Sequence, residues 1–405
     1  MAGKKIKFLI SAAVLSLLCT SSFAEVFFSG FAGLKTDFAS SRKSSFDPEL
    51  KFQSFFSGQF SLSENIFAHA EFSLATNDLI ENSIFNETPG TFKIDELSVI
   101  FRRQLFDATN YLSFFCGTYE PIGSDIFLRR QFGIQPIASK ITEGWLGLSG
   151  SVIYPTFGVG GSDIIHFNAQ PVAFGVYIYI NHELDDSYCF NSDLRFAGVY
   201  RFFTFDFAAG IGMPLKRNET QNAFVIIDTL YWRAGMNMLI GNSYTTSLFM
   251  QAGLSDIEFE KNDSHPKIDE DAAYLLFEPR FRCEKFQLHF TIFSLPQDTV
   301  DDFIFINDTF GANINVFTDN LYIKNKMFVF GINSALSFPE KNFMNLVDHP
   351  ANLFKDDYTV LVAPYVSTNF YNGTIHGMLQ AKITDMMDGN FGSALKLNIG
   401  YKTQF

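Results

Sequence analysis

The last eleven residues set the pattern of this chain. Leu395, Leu397, Ile399, Tyr401, Thr403 and Phe405 fall on one parity, and Lys396, Asn398, Gly400, Lys402 and Gln404 on the other. A strand sends successive side chains to opposite faces, so this segment has one apolar and one polar face. The same alternation recurs. Leu50, Phe52, Phe56, Phe60 and Leu62 oppose Lys51, Gln53, Ser57, Gln59 and Ser61. Phe203, Phe205, Phe207, Ala209 and Ile211 oppose Thr204, Asp206, Gly210 and Gly212, and Phe286, Leu288, Phe290 and Ile292 oppose Gln287, His289 and Thr291. Alternating runs start near Val26, Leu50, Ile66, Phe92, Tyr111, Trp145, Thr156, Val172, Phe190, Phe203, Ala223, Tyr231, Tyr244, Ala273, Lys285, Phe310, Tyr322, Tyr358, Thr374 and Phe391. With some neighbours merged as single bent strands, the expectation is about sixteen strands, within roughly 14 to 18. The parity switches at Asp95 and Glu96, which a bulge or a turn would explain. Gly241-Asn242 and Asn372-Gly373 read as tight hairpin turns.

These runs are longer than the ~5–6 residues of soluble strands and match the ~9–11 that a tilted strand needs to cross a bilayer. A soluble sandwich would pack its apolar faces together with shorter strands. Closing the sheet instead satisfies every backbone group and turns one face to lipid, the other to a lumen. No linker or fixed-period repeat interrupts residues 25–405, so the prediction is an all-β fold: one closed antiparallel transmembrane β-barrel. Long polar stretches, among them 76–90, 120–144, 255–271 and 339–357, suit the unequal loops of such a barrel.

Composition agrees. Hydrophobic residues make up 47%, charged residues only 18%, and 50 residues are Phe, which is not a disordered composition. The net charge of -13 argues against a nucleic-acid partner. Residues 1–24 read as a signal peptide: Lys4, Lys5 and Lys7, then an apolar stretch over 8–20, then small Ser22 and Ala24 at a cleavage site. The rival reading, a lipoprotein processed at Cys19, meets a bulky Leu18. Cleavage after Ala24 removes three lysines and no acid, leaving about -16. Cys116, Cys189 and Cys283 form neither a disulfide framework nor a zinc spacing. No later segment has 18 uninterrupted apolar residues, so a membrane helix is not expected.

The final alternating strand, with Tyr401 and the terminal Phe405 on its apolar parity, resembles the assembly signal of bacterial outer-membrane β-barrel proteins of porin-like type. That resemblance implies outer-membrane lipid and the barrel-assembly machinery as partners and the outer membrane as the location. The fatty-acid transporters are similar in length and Phe content but carry an N-terminal hatch, for which a first run at Val26 leaves no room.

The pore-lining candidates lie on the polar parity: Lys35, Lys51, Gln53, Glu71, Asp206, Lys285, His289, His376, Lys382, Lys396 and Lys402. Lysines outnumber acids among them, which predicts a mild anion preference. Arg129 and Arg130, beside Phe127 and Leu128 in the 120–144 stretch, are candidates for a constriction loop; an exposed surface loop is the alternative. The acidic 255–271 loop lacks calcium-site spacing and reads as solvated. Seven scattered histidines show no metal spacing, and no Ser elbow or triad is evident, so no metal, cofactor or enzyme activity is expected. Trp145, Trp232, Tyr111, Tyr231, Tyr244, Tyr358, Tyr371 and Tyr401 are candidates for interfacial girdles. The leading function is passive diffusion of small solutes through a hydrated lumen. The alternatives are a transporter of hydrophobic ligands, for which inward Phe55, Phe249 and Phe293 would speak, and a non-transport surface protein such as an adhesin. Substrate and oligomeric state are not written in the pattern.

Overall fold

The computed structural model describes residues 27–40, 47–80, 90–145, 148–182, 188–218, 223–226, 229–242, 245–260, 272–300, 303–306, 308–338 and 358–405. The 1–24 segment, most of the acidic 255–271 loop and Tyr244 lie outside them.

Eighteen antiparallel strands form one closed barrel. In order they are β1 (Phe27–Ser40), β2 (Pro48–Ser63), β3 (Ile66–Thr76), β4 (Gly90–Leu105), β5 (Ala108–Thr118) and β6 (Phe157–Phe167). Then come β7 (Val172–Asn181), β8 (Cys189–Tyr200), β9 (Phe203–Pro214), β10 (Thr229–Gly241), β11 (Ser247–Glu260) and β12 (Ala273–Arg282). The last six are β13 (Phe286–Ser294), β14 (Phe310–Thr318), β15 (Lys326–Phe338), β16 (Thr359–Phe370), β17 (Gly373–Lys382) and β18 (Leu395–Gln404). Each strand pairs with the next, and β1 pairs with β18 to close the ring, with Phe31 opposite Gln404 and Phe38 opposite Leu397.

Eighteen is two above the central expectation of sixteen. Merging neighbours was the wrong economy: only two of the twenty runs are not barrel strands. The Trp145 run is a small hairpin (Glu143–Trp145 with Leu148–Ser149) inside a long loop, and the Ala223 run is a second small hairpin (Lys216–Asn218 with Ala223–Ile226). Both alternate, because any hairpin does, but both are too short to cross a membrane.

The parity switch on β4 is a bulge. Glu71 pairs with Glu96 and Phe72 with Ile94, so Asp95 is the extra residue. The extra residue returns Leu97, Val99 and Phe101 to the outer face that Phe92 and Ile94 occupy. The β16–β17 turn is formed by Tyr371 and Asn372, one residue earlier than the Asn-Gly pair suggested, with Tyr371 at φ 50°. Gly373 is already in β17; a Cβ there would meet the Tyr401 ring at 2.6 Å.

Connections alternate in length around the ring. Short turns join β2–β3, β4–β5, β8–β9 and β16–β17; long segments join β3–β4, β5–β6, β11–β12 and β15–β16. The first and last described residues, Phe27 and Phe405, lie on the short-turn rim. The outer face is apolar, with Phe114, Phe174, Ile178, Leu194, Phe207, Leu275 and Ile332 exposed. Trp232 and Tyr358 stand outward near the long-loop rim, and Tyr371 and Tyr401 near the short-turn rim. Tyr111 and Tyr231 point inward instead, since they share the parity of Ser113 and Arg233.

Candidate functional site: the lumen and its inward loop

The 119–156 segment leaves β5 and returns to β6 after crossing the lumen. It carries the helix α1 (Ile126–Phe132), and it buries Tyr119, Ile122, Phe127, Leu128, Ile137, Ile141, Ile153 and Tyr154. Burying apolar side chains within a polar lumen requires that they cover one another and the wall. A second segment, between β13 and β14, folds in to meet it with a short helix α2 (Gln297–Val300) and buried Leu295, Phe303, Ile304, Phe305 and Ile306. The two loops join where the Ile304 amide donates to the Glu143 carbonyl at 2.9 Å.

The wall is shaped for this loop. Gly235 of β10 and Gly253 of β11 are register partners. A Cβ on Gly253 would strike the Ile153 side chain, and one on Gly235 would meet that of Ile122 at 2.7 Å. The two glycines form a socket for the loop's isoleucines. Around the socket, wall side chains bond loop backbone and side chains. Gln251 donates to the Gly123 carbonyl and Tyr177 to Glu120 at 2.8 Å, while Ser139 of the loop donates to Glu278 of β12, which also accepts from its wall neighbour Thr291.

Charged groups finish the attachment. Arg130 of α1 donates to Glu96 of β4 at 2.9 Å and lies 3.6 Å from Glu120, both carboxylates being buried. Burial pushes the Glu120 carboxyl up from its ordinary range, and Arg130 and Arg195 pull it back. Arg195 grips Asp206 through two bonds of 2.8 and 2.6 Å, and Arg233 grips Asp193 through 2.9 and 3.1 Å. Arg280 donates to Glu278 at 2.7 Å.

Three side chains approach a metal-ligand grouping: His69, Glu71 and Glu96. Their wiring is that of an ion-pair network. Glu71 and Ser57 flank Nε2 of His69, at 3.5 and 3.1 Å, whereas Glu96 flanks Nδ1 at 3.2 Å. No single ring nitrogen faces both carboxylates, and the Arg130 guanidinium stands 3.1 Å from Nδ1.

The sequence candidates divide into three groups. Lys35, Lys51, Gln53 and Glu71 on β1–β3, and Lys396 and Lys402 on β18, lie on the inward parity and share one side of the lumen. There the loop leaves the wall partly open: Gln53, Phe55, Glu71, Lys396 and Lys402 are half-buried, and Lys51 and Gln59 are exposed. Lys402 sits over the Phe31 ring at 4.8 Å and within electrostatic reach of Arg129 and Asp125 of the loop. In the second group, Asp206 on β9 and His289 on β13 are inward but covered by the loop, and His376 on β17 is buried with Ser367 2.8 Å from its Nδ1. In the third group are two that miss the lumen wall. Lys285 is an exposed residue of the β12–β13 turn, because the strand begins one residue later at Phe286. Lys382 is the last residue of β17, at the rim, where α3 (Ile383–Met387) starts.

Sequence reasoning missed Glu96, Asp193, Arg195, Arg233, Glu278 and Arg280. Parity carried across the hairpins would have found them: Ala197 is opposite Asp206, so Arg195 and Asp193 face the same way. They add three acids and three arginines, so the balance does not move. The lysine surplus shrinks because Lys285 and Lys382 miss the wall and because Lys35, Lys51 and Lys396 each have an acid near. Lys35 is 4.0 Å from Asp37, Lys396 is 3.8 Å from the same carboxylate, and Lys51 is 3.2 Å from Glu49. Phe249 and Phe293 are fully buried, Phe249 beneath the Arg280 guanidinium at 4.4 Å, so they belong to the packed side.

No protein-family model matches the chain, and no curated protein matches it. Among solved structures, it is similar to Wzi, an outer-membrane protein involved in group 1 capsule assembly in Escherichia coli and described as a carbohydrate-binding β-barrel. That likeness has 11% identity and a TM-score of 0.45, and covers 100% of this chain and 89% of that one. It is similar to OmpF of Salmonella typhi at 11% identity and TM-score 0.42, covering 94% and 97%. It is similar to OccAB3 of Acinetobacter baumannii at 9% identity and TM-score 0.47, covering 93% and 99%. At these values the likeness is one of barrel outline.

Proposed function

We propose that this chain is an outer-membrane channel through which small solutes diffuse passively, along the part of the lumen that the inward loop leaves open. The observation that carries this reading is the asymmetry of burial around the ring. Inward side chains of β8–β12 such as Asn191, Arg195, Asn237, Gln251 and Glu278 are buried, whereas on β1–β3 and β18 Lys51 and Gln59 are exposed and Gln53, Glu71, Lys396 and Lys402 half-buried, with only Lys35, Ser57 and Asn398 among the polar inward side chains there buried. A polar crescent bounded by Lys51, Gln53, Glu71, Lys396 and Lys402, with Arg129 and Arg130 of α1 opposite, is a route for hydrated solutes. The chemistry needs no catalytic group, because a wall of fixed charges and amides only replaces part of a solute's hydration. The apolar outer band and the alternation of short turns and long loops suit insertion in an outer membrane, with Tyr401 and Phe405 presented on β18 for assembly. Phe405 packs outward on Phe28, with ring centroids 4.9 Å apart.

The paired lysines replace the anion preference with weak selectivity. Purified protein in a planar bilayer should give discrete conductance steps and a reversal potential near zero in a tenfold salt gradient. A preparation that folds, shows heat-modifiable migration and never conducts would sink the channel reading and favour a surface or binding role.

A further inference from the structure

The joint between α1 and the β3–β4 wall holds more carboxylates than cations. The groups that face the His69 ring are Ser57 from β2, Glu71 from its own strand, Glu96 from β4 and Arg130 from α1, with Glu120 on the far side of Arg130. Which of these can donate fixes the hydrogens. Ser57 gives its hydroxyl proton to Glu71, 2.8 Å away, so its oxygen is free to accept from Nε2–H at 3.1 Å. At the other end of the ring, Nδ1 meets Nη2 of Arg130 at 3.1 Å, and a guanidinium nitrogen only donates, so Nδ1 accepts. Nη2 thus serves Nδ1 with one hydrogen and Glu96 Oε2, at 2.9 Å, with the other. His69 is neutral in this arrangement, and three acids share one cation.

A second proton on the ring has one place to go, Nδ1. There it turns an acceptor for Arg130 into a donor aimed at Glu96 Oε1, 3.2 Å away. Arg130 then loses its ring acceptor, shares Glu96 with a competing donor and meets a like charge at 3.1 Å. It also has an alternative: Glu120, 3.6 Å from Nη1, belongs to the same inward segment as α1 and travels with it. Glu96 is the wall's only part in this contact, so its loss frees α1 at that point. Water reaches the ring from the crescent, on which Glu71 is half-buried.

We propose that a proton on His69 competes with Arg130 for Glu96, so that acid unclasps α1 from the wall and widens the crescent. The widening rests on the channel reading; the unclasping does not. The sign is fixed: docking tightens with His69 neutral and loosens as pH falls, because the proton and the guanidinium claim the same carboxylate.

The test is limited proteolysis of the folded barrel in detergent at about pH 8 and about pH 5, the span over which imidazoles change charge. Each rate is divided by that of the heat-denatured chain at the same pH. Cleavage within 120–144 should be about tenfold faster in acid, the factor that loss of one charge-assisted hydrogen bond brings. His69→Gln keeps an amide at this place and cannot charge, so its cleavage should stay slow at both pH values. Arg130→Ala has no clasp to open, so its cleavage should be fast at both. A wild-type rate that does not rise in acid overturns the proposal. So does a rise that survives in His69→Gln or in Arg130→Ala, since the proton then acts elsewhere. Should His69→Gln not fold, Arg130→Ala still decides. In a planar bilayer the wild type should conduct more in acid, and equal conductance with rising cleavage overturns the widening. Acid-dependent cleavage in a barrel that never conducts supports the clasp and sinks the channel reading; conduction with pH-independent cleavage does the reverse.

Discussion

At the residue scale, the inward loop is held by few groups with large individual weight. Arg130 serves Glu96 and Glu120 together, and both acids are almost wholly buried. Removing one partner of a buried pair costs about 3–5 kcal/mol, because the remaining charge has lost its water and its complement. Arg130 keeps a fifth of its side chain exposed, so the lower end applies. Arg130→Ala should therefore weaken the docking of the 119–156 segment by about 3 kcal/mol. Faster protease cleavage within 120–144 at unchanged barrel content would show it; equal cleavage rates would mean the pair holds nothing. Gly253 makes an independent case. Valine there must displace Ile153, so Gly253→Val should release the same loop by steric force with every ion pair intact. The two variants should give the same digestion pattern. If only Arg130→Ala does, the glycine socket is incidental.

At the element scale, the loop is a brace across a ring whose wall strands pair only with sequence neighbours except at the β1–β18 seam. It runs from β5 and β6 to β12, nearly the far wall, and the β13–β14 segment meets it there. Replacing residues 124–150 by a short glycine linker should leave the strands in register and enlarge the single-channel conductance severalfold. A conductance equal to that of the intact protein would mean the crescent alone sets the flow. This is also the level where reading the chain stops being easy. The strands were legible, since alternation over ten or more residues is a strong signal, and so was the parity switch at Asp95 and Glu96, though parity alone leaves a bulge and a turn both open. The loop's path was not. A segment rich in Ile, Phe and Tyr but without a period offers no face, and its burial depends on wall positions up to 139 residues away. The small hairpins at Trp145 and Ala223 misled for the opposite reason: they alternate like strands of the wall without belonging to it.

At the scale of the whole molecule, the charge along the open crescent is balanced by pairs rather than set by one sign. Asp37 serves both Lys35 and Lys396, so changing one lysine should move the balance more than its share. Lys396→Glu should place two carboxylates together and turn the weak selectivity toward cations, with the reversal potential shifting by tens of millivolts in a salt gradient. Sodium chloride above about 1 M should erase that shift, since the screening length is then near 3 Å. An unshifted potential at low salt would mean that ions do not pass this wall.

The seam between β1 and β18 fixes an order of events. Gly30 and Phe405 exchange two backbone bonds, of 3.0 and 3.1 Å, and the Phe405 ring lies against Phe28 and Phe56 of the first two strands. The cylinder thus cannot be sealed until Phe405, at the end of β18, has been delivered. By then the brace has long been made, while β12, which it must reach, comes more than a hundred residues after it begins. Whatever shelters the unfinished protein has to keep that greasy brace from settling early, and the arrival of β18 is the latch that ends the wait.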